Sequence, residues 1–347
     1  MRVALVSARN ALATGVDRYA REIERALARE GLETLPVALA RRELRIGSAR
    51  LGGFASLWAQ RFLPRRGEAD LVHALDPAVA TLRTDVLTVH DLLQEAHPDV
   101  YLRGARARAD ERLNRILARR VPWLVCVSEA TRQEVLRRWD ADPARVAVSH
   151  HGIDHERFRP VDAPSPHAAE GAPTLAYVGD DNPRKNLPLA VEAVAQLRER
   201  HGVEVRLVRV GPTRFGGAHA ALAKERGVDL VEPGFLDDDA LVALLSRAGA
   251  FVWPTLGEGF GFPPLEAMAC GAPVAALDIP VNREVLGDLA SYHDNDAGAC
   301  ADALARTLRA PPAKDALVAH ARRFTWQASA RRLMAVYDLA LASRRRA

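Results

Sequence analysis

Glu258 and Glu266 stand with seven residues between them in the stretch FVWPTLGEGFGFPPLEAMACGAPV, 251–274. An apolar run, Phe251 to Trp253, breaks at Pro254 into a turn rich in glycine (Gly257, Gly259, Gly261) and restarts at Pro263-Pro264. Proline suits the first positions of a helix, where its fixed φ is already helical and its missing amide would have no partner anyway. The pattern predicts a strand, a loop of bare backbone and a helix N-terminus, an arrangement that recruits anionic or polyhydroxyl ligands. Carboxylates accept from diols and amides donate to oxyanions, so the stretch suits a ligand that is both hydroxyl-rich and phosphorylated, such as a sugar nucleotide.

A second group of candidates lies in TLAYVGDDNPRKNLPLAVEAVAQL, 174–197, where Arg184-Lys185-Asn186 precede a helix apolar at Leu187, Val191, Val194 and Leu197. Two cations beside a helix N-terminus add to its dipole and make a site for a diphosphate; a solvated charge pair is the plainer alternative. His90 and Asp91 follow the apolar run of LTVHD. A lone histidine is more often structural, but one at the carboxyl end of a parallel strand is placed to touch a ligand. Gly15 is the one glycine in NALATGVDRYARE after the first strand, and an ordinary strand-to-helix turn would also explain it. Gly211 ends the run EVRLVRVG, and Gly234, Phe235 and Leu236 precede the acidic run Asp237 to Asp239, which a helix dipole explains without a metal. No metal-ligand spacing is present, and no metal or other cofactor is expected.

The elements that must hold these residues alternate in type. Short β-branched runs are expected near 2–6, 34–39, 70–73, 86–90, 123–127 and 146–149, and again near 174–178, 204–210, 250–253 and 273–277, with helical patterns between them. Such alternation indicates α/β architecture with parallel sheets. The Pro- and Ala-rich stretch from Phe158 to Pro173 reads as a linker between a domain at 1–160 and one at 161–325, two Rossmann-like domains facing each other across a cleft.

A chain of 347 residues, 48% apolar and 27% charged, is long enough for two cores. No run approaches the roughly 20 apolar residues of a membrane span, no signal-like leader opens the chain, and Cys126, Cys270 and Cys300 are few and scattered. The expectation is a reduced, cytoplasmic protein. Charge is unevenly spread: 1–160 holds 27 arginines, no lysine and 21 acids, against 18 arginines, three lysines and 23 acids in 161–347. Arginines surround Leu51, Phe54, Trp58 and Phe62 in 41–66 and recur in 103–120. Basic helices of this kind either pack apolar side inward with solvated arginines or lie on an anionic membrane, here as a peripheral protein on its inner face.

Taken in chain order, Gly15, His90, the HGID segment at 151–154, Arg184-Lys185, Gly234 and Glu258 to Glu266 resemble the retaining glycosyltransferases of family 4, which have the two-domain GT-B fold. The resemblance implies transfer of a sugar from a nucleoside-diphosphate donor without a metal. Arg184 and Lys185 would stabilise the leaving diphosphate, Glu266 would hold the ribose, and Glu258 with Gly259, Phe260 and Gly261 would hold the donor sugar. His90 would touch the reacting sugar, Gly15 and Gly211 would lie by the donor, and Phe235 and Leu236 would flank the nucleobase. Asp17 stands where the family has a second glycine. The last helix, 326–347, would pack back on the first, acceptor-binding domain; the second would bind the donor. The 251–288 segment looks most like bacterial mannosyltransferases of lipopolysaccharide O-antigen or other surface glycans, which favours GDP-mannose over a UDP-sugar and a glycan or lipid-linked glycan as acceptor. A catalytically silent sugar-nucleotide-binding subunit and a sugar-nucleotide epimerase are the alternatives; nucleic acid is not expected, since it leaves the donor motifs unexplained.

Overall fold

The computed structural model describes residues 1–8, 15–39, 44–46, 49–51, 69–102, 104–169 and 171–345. They fall into two units, Met1–Gly152 together with Thr325–Ala347, and Ile153–Phe324.

In the first unit six parallel strands, β1 (Arg2–Ala8), β2 (Glu33–Leu39), β5 (Leu71–Ala74), β6 (Val86–Val89), β7 (Trp123–Cys126) and β8 (Val146–Val148), are ordered β2-β1-β5-β6-β7-β8. A parallel sheet is covered on both faces, so its inner strands are apolar throughout. Val3, Ala4, Leu5 and Val6 of β1 are accordingly all buried. The helix Gly15–Arg29 lays Tyr19, Ile23, Ala26 and Leu27 inward at helical spacing. Against it packs the helix Trp326–Arg344, capped by Thr325 and pinned by Arg331 Nε at 2.9 Å from Glu30 Oε2.

Beneath this helix pair runs a buried polar chain. Tyr337 Oη lies 2.7 Å from His73 Nδ1, His73 Nε2 lies 2.9 Å from Thr88 Oγ1, and Thr88 Oγ1 lies 3.0 Å from Tyr19 Oη. Burial, and then the charge of His90, pushes the His73 imidazole down to about 3. A neutral imidazole has one donor and one acceptor nitrogen, which suits a place between two hydroxyls.

In the second unit β9 (Thr174–Val178), β10 (Arg206–Val210), β11 (Asp229–Gly234), β12 (Ala250–Trp253), β13 (Val274–Leu277) and β14 (Ala290–His293) form a parallel sheet ordered β11-β10-β9-β12-β13-β14. Leu187, Ala190, Val191, Val194 and Leu197 of the helix Leu187–His201 pack in its core. All three cysteines are free and buried, and burial pushes the Cys270 thiol up to about 12.

Four features differ from the sequence expectation. β11 and β14 are edge strands, half exposed and carrying Asp229, Glu232 and Pro233 or Ser291 and Tyr292, so neither shows an apolar run. Residues 44–46 and 49–51 form a small antiparallel pair, β3 (Leu44–Ile46) and β4 (Ala49–Leu51), within the segment expected as a basic helix. Residues 40–43 and 52–68, with Phe54, Trp58 and Phe62, lie outside the described residues. The boundary falls at Gly152/Ile153, ahead of the expected linker, because Phe158 is 2% exposed and Val161 N bonds Ser246 Oγ at 3.1 Å. His151 and Gly152, of the HGID segment beside the expected linker, sit inside the first unit. His151 stacks on Tyr19 and Trp326, with ring centroids 4.7 and 5.7 Å apart.

A Cβ on Gly152 would stand 2.0 Å from the backbone nitrogen of Trp326. Backbone cannot swing aside as a side chain can, so Gly152→Ala is expected to cost about 3 kcal/mol, the upper end of overpacking penalties. A lowered urea midpoint would register it; an unchanged midpoint would mean that the two segments part without cost.

Candidate functional site

The strand order of the second unit reverses at β9, with β10 and β11 on one side and β12 to β14 on the other. Open parallel sheets bind ligands outside the carboxyl ends of their strands at such a switch point. The loops that leave β9 and β12 carry Arg184-Lys185 and Glu258.

Main chain fixes these loops before any side chain is considered. Asn182 Oδ1 accepts from Arg184 N at 3.0 Å and starts the single 3-10 turn Pro183–Lys185, which Asn186 closes at a left-handed φ of 55°. Leu256 N donates to Arg184 O at 2.9 Å and Tyr177 Oη to Lys185 O at 3.1 Å, tying the turn to the neighbouring loop and to the sheet.

On this frame one carboxylate oxygen collects three donors. Glu258 Oε1 accepts from Lys185 Nζ at 2.7 Å, from Thr255 Oγ1 at 2.9 Å and from Arg184 Nη1, which also donates to Gly257 O. Glu258 Oε2 has no hydrogen-bond partner among the described residues. Burial alone would raise the Glu258 carboxyl, but the charges of Lys185 and Arg184 and the bonds from Lys185 and Thr255 hold it below the usual carboxylate range. Burial lowers the Lys185 ammonium, and Glu258 offsets part of that. Lys185 Nζ also lies 4.5 Å from the centre of the buried Trp253 ring, whose π face attracts a cation. Two cations share one bonded carboxylate, with Asp180 near enough to act on Lys185.

The other expected donor-side residues lie around it. Gly211 has φ 144°, and a Cβ there would come within 2.3 Å of Gly179 O, so the loops after β9 and β10 meet too closely for a side chain. Asp181 braces the same pair by accepting from the amides of Arg214, Phe215 and Gly217. Gly261, at φ 90°, ends the loop at the start of the helix Phe262–Ala269. Gly259 and Phe260 are buried, and the Phe260 ring packs edge-on against Phe262 and Phe324, so it takes no part in the polar surface of the loop. Glu266 is 5% exposed and lies on that helix. Phe235, 76% exposed, and the partly buried Leu236 follow β11.

His90 and Gly15 belong to the first unit. His90 Nε2 lies 2.9 Å from Leu75 O, and a carbonyl only accepts, so Nε2 carries a proton and, in the neutral ring, Nδ1 is the acceptor. The ring stands edge-on to Tyr19 at 5.0 Å. Gly15 opens its helix, and residues 9–14 before it lie outside the described residues. Among the described residues no cluster of three or more His, Cys, Asp or Glu side chains could hold a metal ion, and no helix is long and apolar enough to cross a membrane.

Sequence reasoning missed Thr255, Trp253 and Asp181. Trp253 and Thr255 read as strand end and turn, and the partners of Asp181 are backbone amides that leave no trace in residue type.

Glu258→Gln would leave two buried cations without their counter-charge, a loss of about 3 kcal/mol at neutral pH. Because the folded pKa of Glu258 lies below its unfolded value of about 4.3, its contribution is full above that value and fades as pH falls toward the folded one. The stability gap between the native chain and the variant is therefore expected to be widest near pH 7 and to close below about pH 4. Denaturation across that range checks this, and a gap independent of pH would show that the carboxylate is not the stabilising partner.

Comparison with known proteins places this geometry. Residues 159–324 match the family model of glycosyl transferases group 1, and residues 13–157 that of glycosyltransferase family 4. D-inositol 3-phosphate glycosyltransferase of Mycobacterium avium is 38% identical over 222 residues, 58% of this chain and 51% of that protein. The chain thus spans about half the length of the curated relatives it matches. HepE from Anabaena, solved in complex with UDP and glucose, superposes with a TM-score of 0.76 at 17% identity, covering 97% of this chain and 99% of that one. WaaG, a glycosyltransferase involved in lipopolysaccharide biosynthesis, superposes with a TM-score of 0.69 at 20% identity over 92% of this chain and 94% of that one. Family models matched in chain order through both units, and the same fold at near-full length, make this chain a glycosyltransferase family 4 domain followed by a glycosyl transferases group 1 domain in the GT-B fold.

Proposed function

We propose that this protein transfers a hexosyl group from a nucleoside-diphosphate sugar to a glycan or lipid-linked glycan acceptor, with retention at the anomeric carbon and without a metal ion. The observation that carries the reading is the cluster of Arg184, Lys185 and Glu258 at the switch point of the second sheet. As the bond from the anomeric carbon to the diphosphate breaks, its electron pair leaves with the diphosphate and positive charge develops on the sugar. Cations held in place beforehand, in a site of restricted solvent access, stabilise that leaving charge most effectively.

In this reading the diphosphate takes donors from Arg184 and Lys185, and Glu258 Oε2 accepts from a hydroxyl of the donor sugar. Glu266 serves the ribose, and Phe235 and Leu236 flank the base. The acceptor hydroxyl attacks the anomeric carbon and passes its proton to the departing diphosphate oxygen, so no protein nucleophile is required. His90, with Nδ1 as its acceptor, serves a substrate hydroxyl.

Mannose carried by GDP is our first reading of the donor, on the likeness of the 251–288 segment to mannosyltransferases of surface glycans. A UDP-hexose is the second, favoured by the UDP and glucose bound to HepE. The acceptor reading has the lipopolysaccharide role of WaaG in its support, and the relative's name adds a phosphorylated cyclitol as an acceptor to test. A site on the inner face of the membrane would suit a lipid-linked acceptor.

Thermal melts with GDP-, UDP-, ADP- and dTDP-sugars test the donor, since a ligand that binds only the folded state raises its midpoint. GDP-mannose is expected to give the largest rise. A rise with UDP-sugars alone would select the second reading, and none with any nucleotide would count against a donor site formed in the free protein. With the donor known, turnover is expected to persist in EDTA, and Lys185→Ala to lower it about 10- to 100-fold, the equivalent of one charge-assisted hydrogen bond. Near-native turnover of that variant, at an unchanged melting point, would remove Lys185 from the phosphate site.

A further inference from the structure

The first unit holds a cavity of about 610 Å³ that the donor chemistry does not use, with Arg108, Arg112, Arg115, Arg137 and Arg138 in its walls. Its volume lies within the range of about 300 to 1,000 Å³ typical of small-molecule sites. We propose that this cavity binds a phosphoryl group, that of a phosphate monoester or of pyrophosphate. The proposal goes beyond the function set out above and does not rest on it.

One wall is the helix Gly104–Ala118, on which Arg108, Arg112 and Arg115 are spaced to share a face. Like charges so placed weaken a helix by about 0.2 to 0.5 kcal/mol per pair, and a merely solvated face would relieve them with acids. Glu111 stands one turn before Arg115 and feels its charge without bonding it, while its carboxylate accepts from Asn114 Nδ2 at 3.4 Å. Among the described residues none of these three arginines bonds a carboxylate.

The other wall is already braced. Arg138 donates through Nε to Glu134 Oε2 at 2.6 Å and through Nη1 to Glu95 O at 3.3 Å, and Arg137 Nη2 reaches the same Glu134 oxygen at 2.6 Å. Glu95 is itself held by Trp139 Nε1, 2.7 Å from its Oε1. Five guanidinium groups line the cavity beside two carboxylates, those of Glu95 and Glu111; Glu134 is bonded to two of the five and Asp76 acts on Glu111 from nearby, and the cations still outnumber the acids around them. An anion suits that surplus, and the planar fork of arginine matches phosphate oxygens two at a time. An isolated basic helix would have no second basic wall opposite it; this one has.

The test uses sodium pyrophosphate in isothermal titration against the full chain carrying Lys185→Ala, which weakens the anion site of the second unit. Saturable binding that falls with added salt is expected to remain. Adding Arg112→Ala and Arg115→Ala, both exposed positions, is expected to weaken it at least tenfold with the melting point unchanged. Arg108→Gln serves as an independent variant should that pair disturb the fold. Loss of all binding with Lys185→Ala alone, or native affinity in the arginine variants, would overturn the proposal. Two further arms identify the source of the phosphate. Capture by vesicles of phosphatidic acid over vesicles of equally charged phosphatidylserine, lost in the arginine variants, assigns a lipid headgroup. Binding of glucose 6-phosphate, with no preference between the vesicles, assigns a soluble monoester. Response to none of these probes would count against the site.

Discussion

A single carboxylate oxygen, Glu258 Oε1, is the point on which the polar end of the second unit depends. It receives an ammonium, a guanidinium and a hydroxyl at once. Charges taken out of water are costly unless paired and hydrogen-bonded, and Arg184, Lys185 and Glu258 are each less than a fifth exposed. Each would be a costly charge there without a partner. Paired, the two cations and the carboxylate offset one another's desolvation. A catalytic surface that must favour a leaving diphosphate needs positive charge already in place, and the shared carboxylate allows it to persist in a nearly dry site.

That arrangement rests on backbone rather than on the long side chains themselves. The turn carrying Arg184 and Lys185 is held by Asn182, by Leu256 N and by the Tyr177 hydroxyl, so the roots of both cations are fixed while their tips remain able to exchange partners. Gly211 lets the neighbouring loop approach Gly179 more closely than any side chain would permit, and Asp181 holds that loop through amides. The first unit uses a different device. Its terminal helix is joined to the sheet by the Tyr337, His73, Thr88 and Tyr19 chain, in which every buried polar atom is matched by a neighbour, and burying such a chain is tolerable only when it is fully satisfied. Tyr19 ends that chain and lies against His90, so the placing of a candidate substrate-binding histidine is linked to a helix formed by the last residues of the chain.

The inner strands were legible because parallel sheets covered on both faces demand unbroken apolar runs, as in Val3 to Val6 and Phe251 to Trp253. Edge strands β11 and β14 were not, since half-exposed strands tolerate Asp229, Pro233 or Ser291. Gly152 could be read as a conspicuous glycine before a boundary; that it is required by the backbone of Trp326 could not. The contact division at Gly152/Ile153 precedes the expected linker because a Pro- and Ala-rich composition signals a linker whether or not Phe158 happens to be buried.

Residue type and spacing alone indicated an α/β chain of two such units, and singled out Arg184, Lys185, Glu258 and Glu266 as the candidate groups. Those conclusions depend on local patterns of a few residues. What only the tertiary structure decided is who pairs with whom. The family resemblance pointed Glu258 to a sugar and the cations to a phosphate; the fold adds that Glu258 is the counter-charge of both cations through one oxygen. The reason is topological. The two loops are separated by about seventy residues, and they meet only because β12 returns to lie beside β9 where the strand order reverses, an adjacency that no local pattern in either segment records.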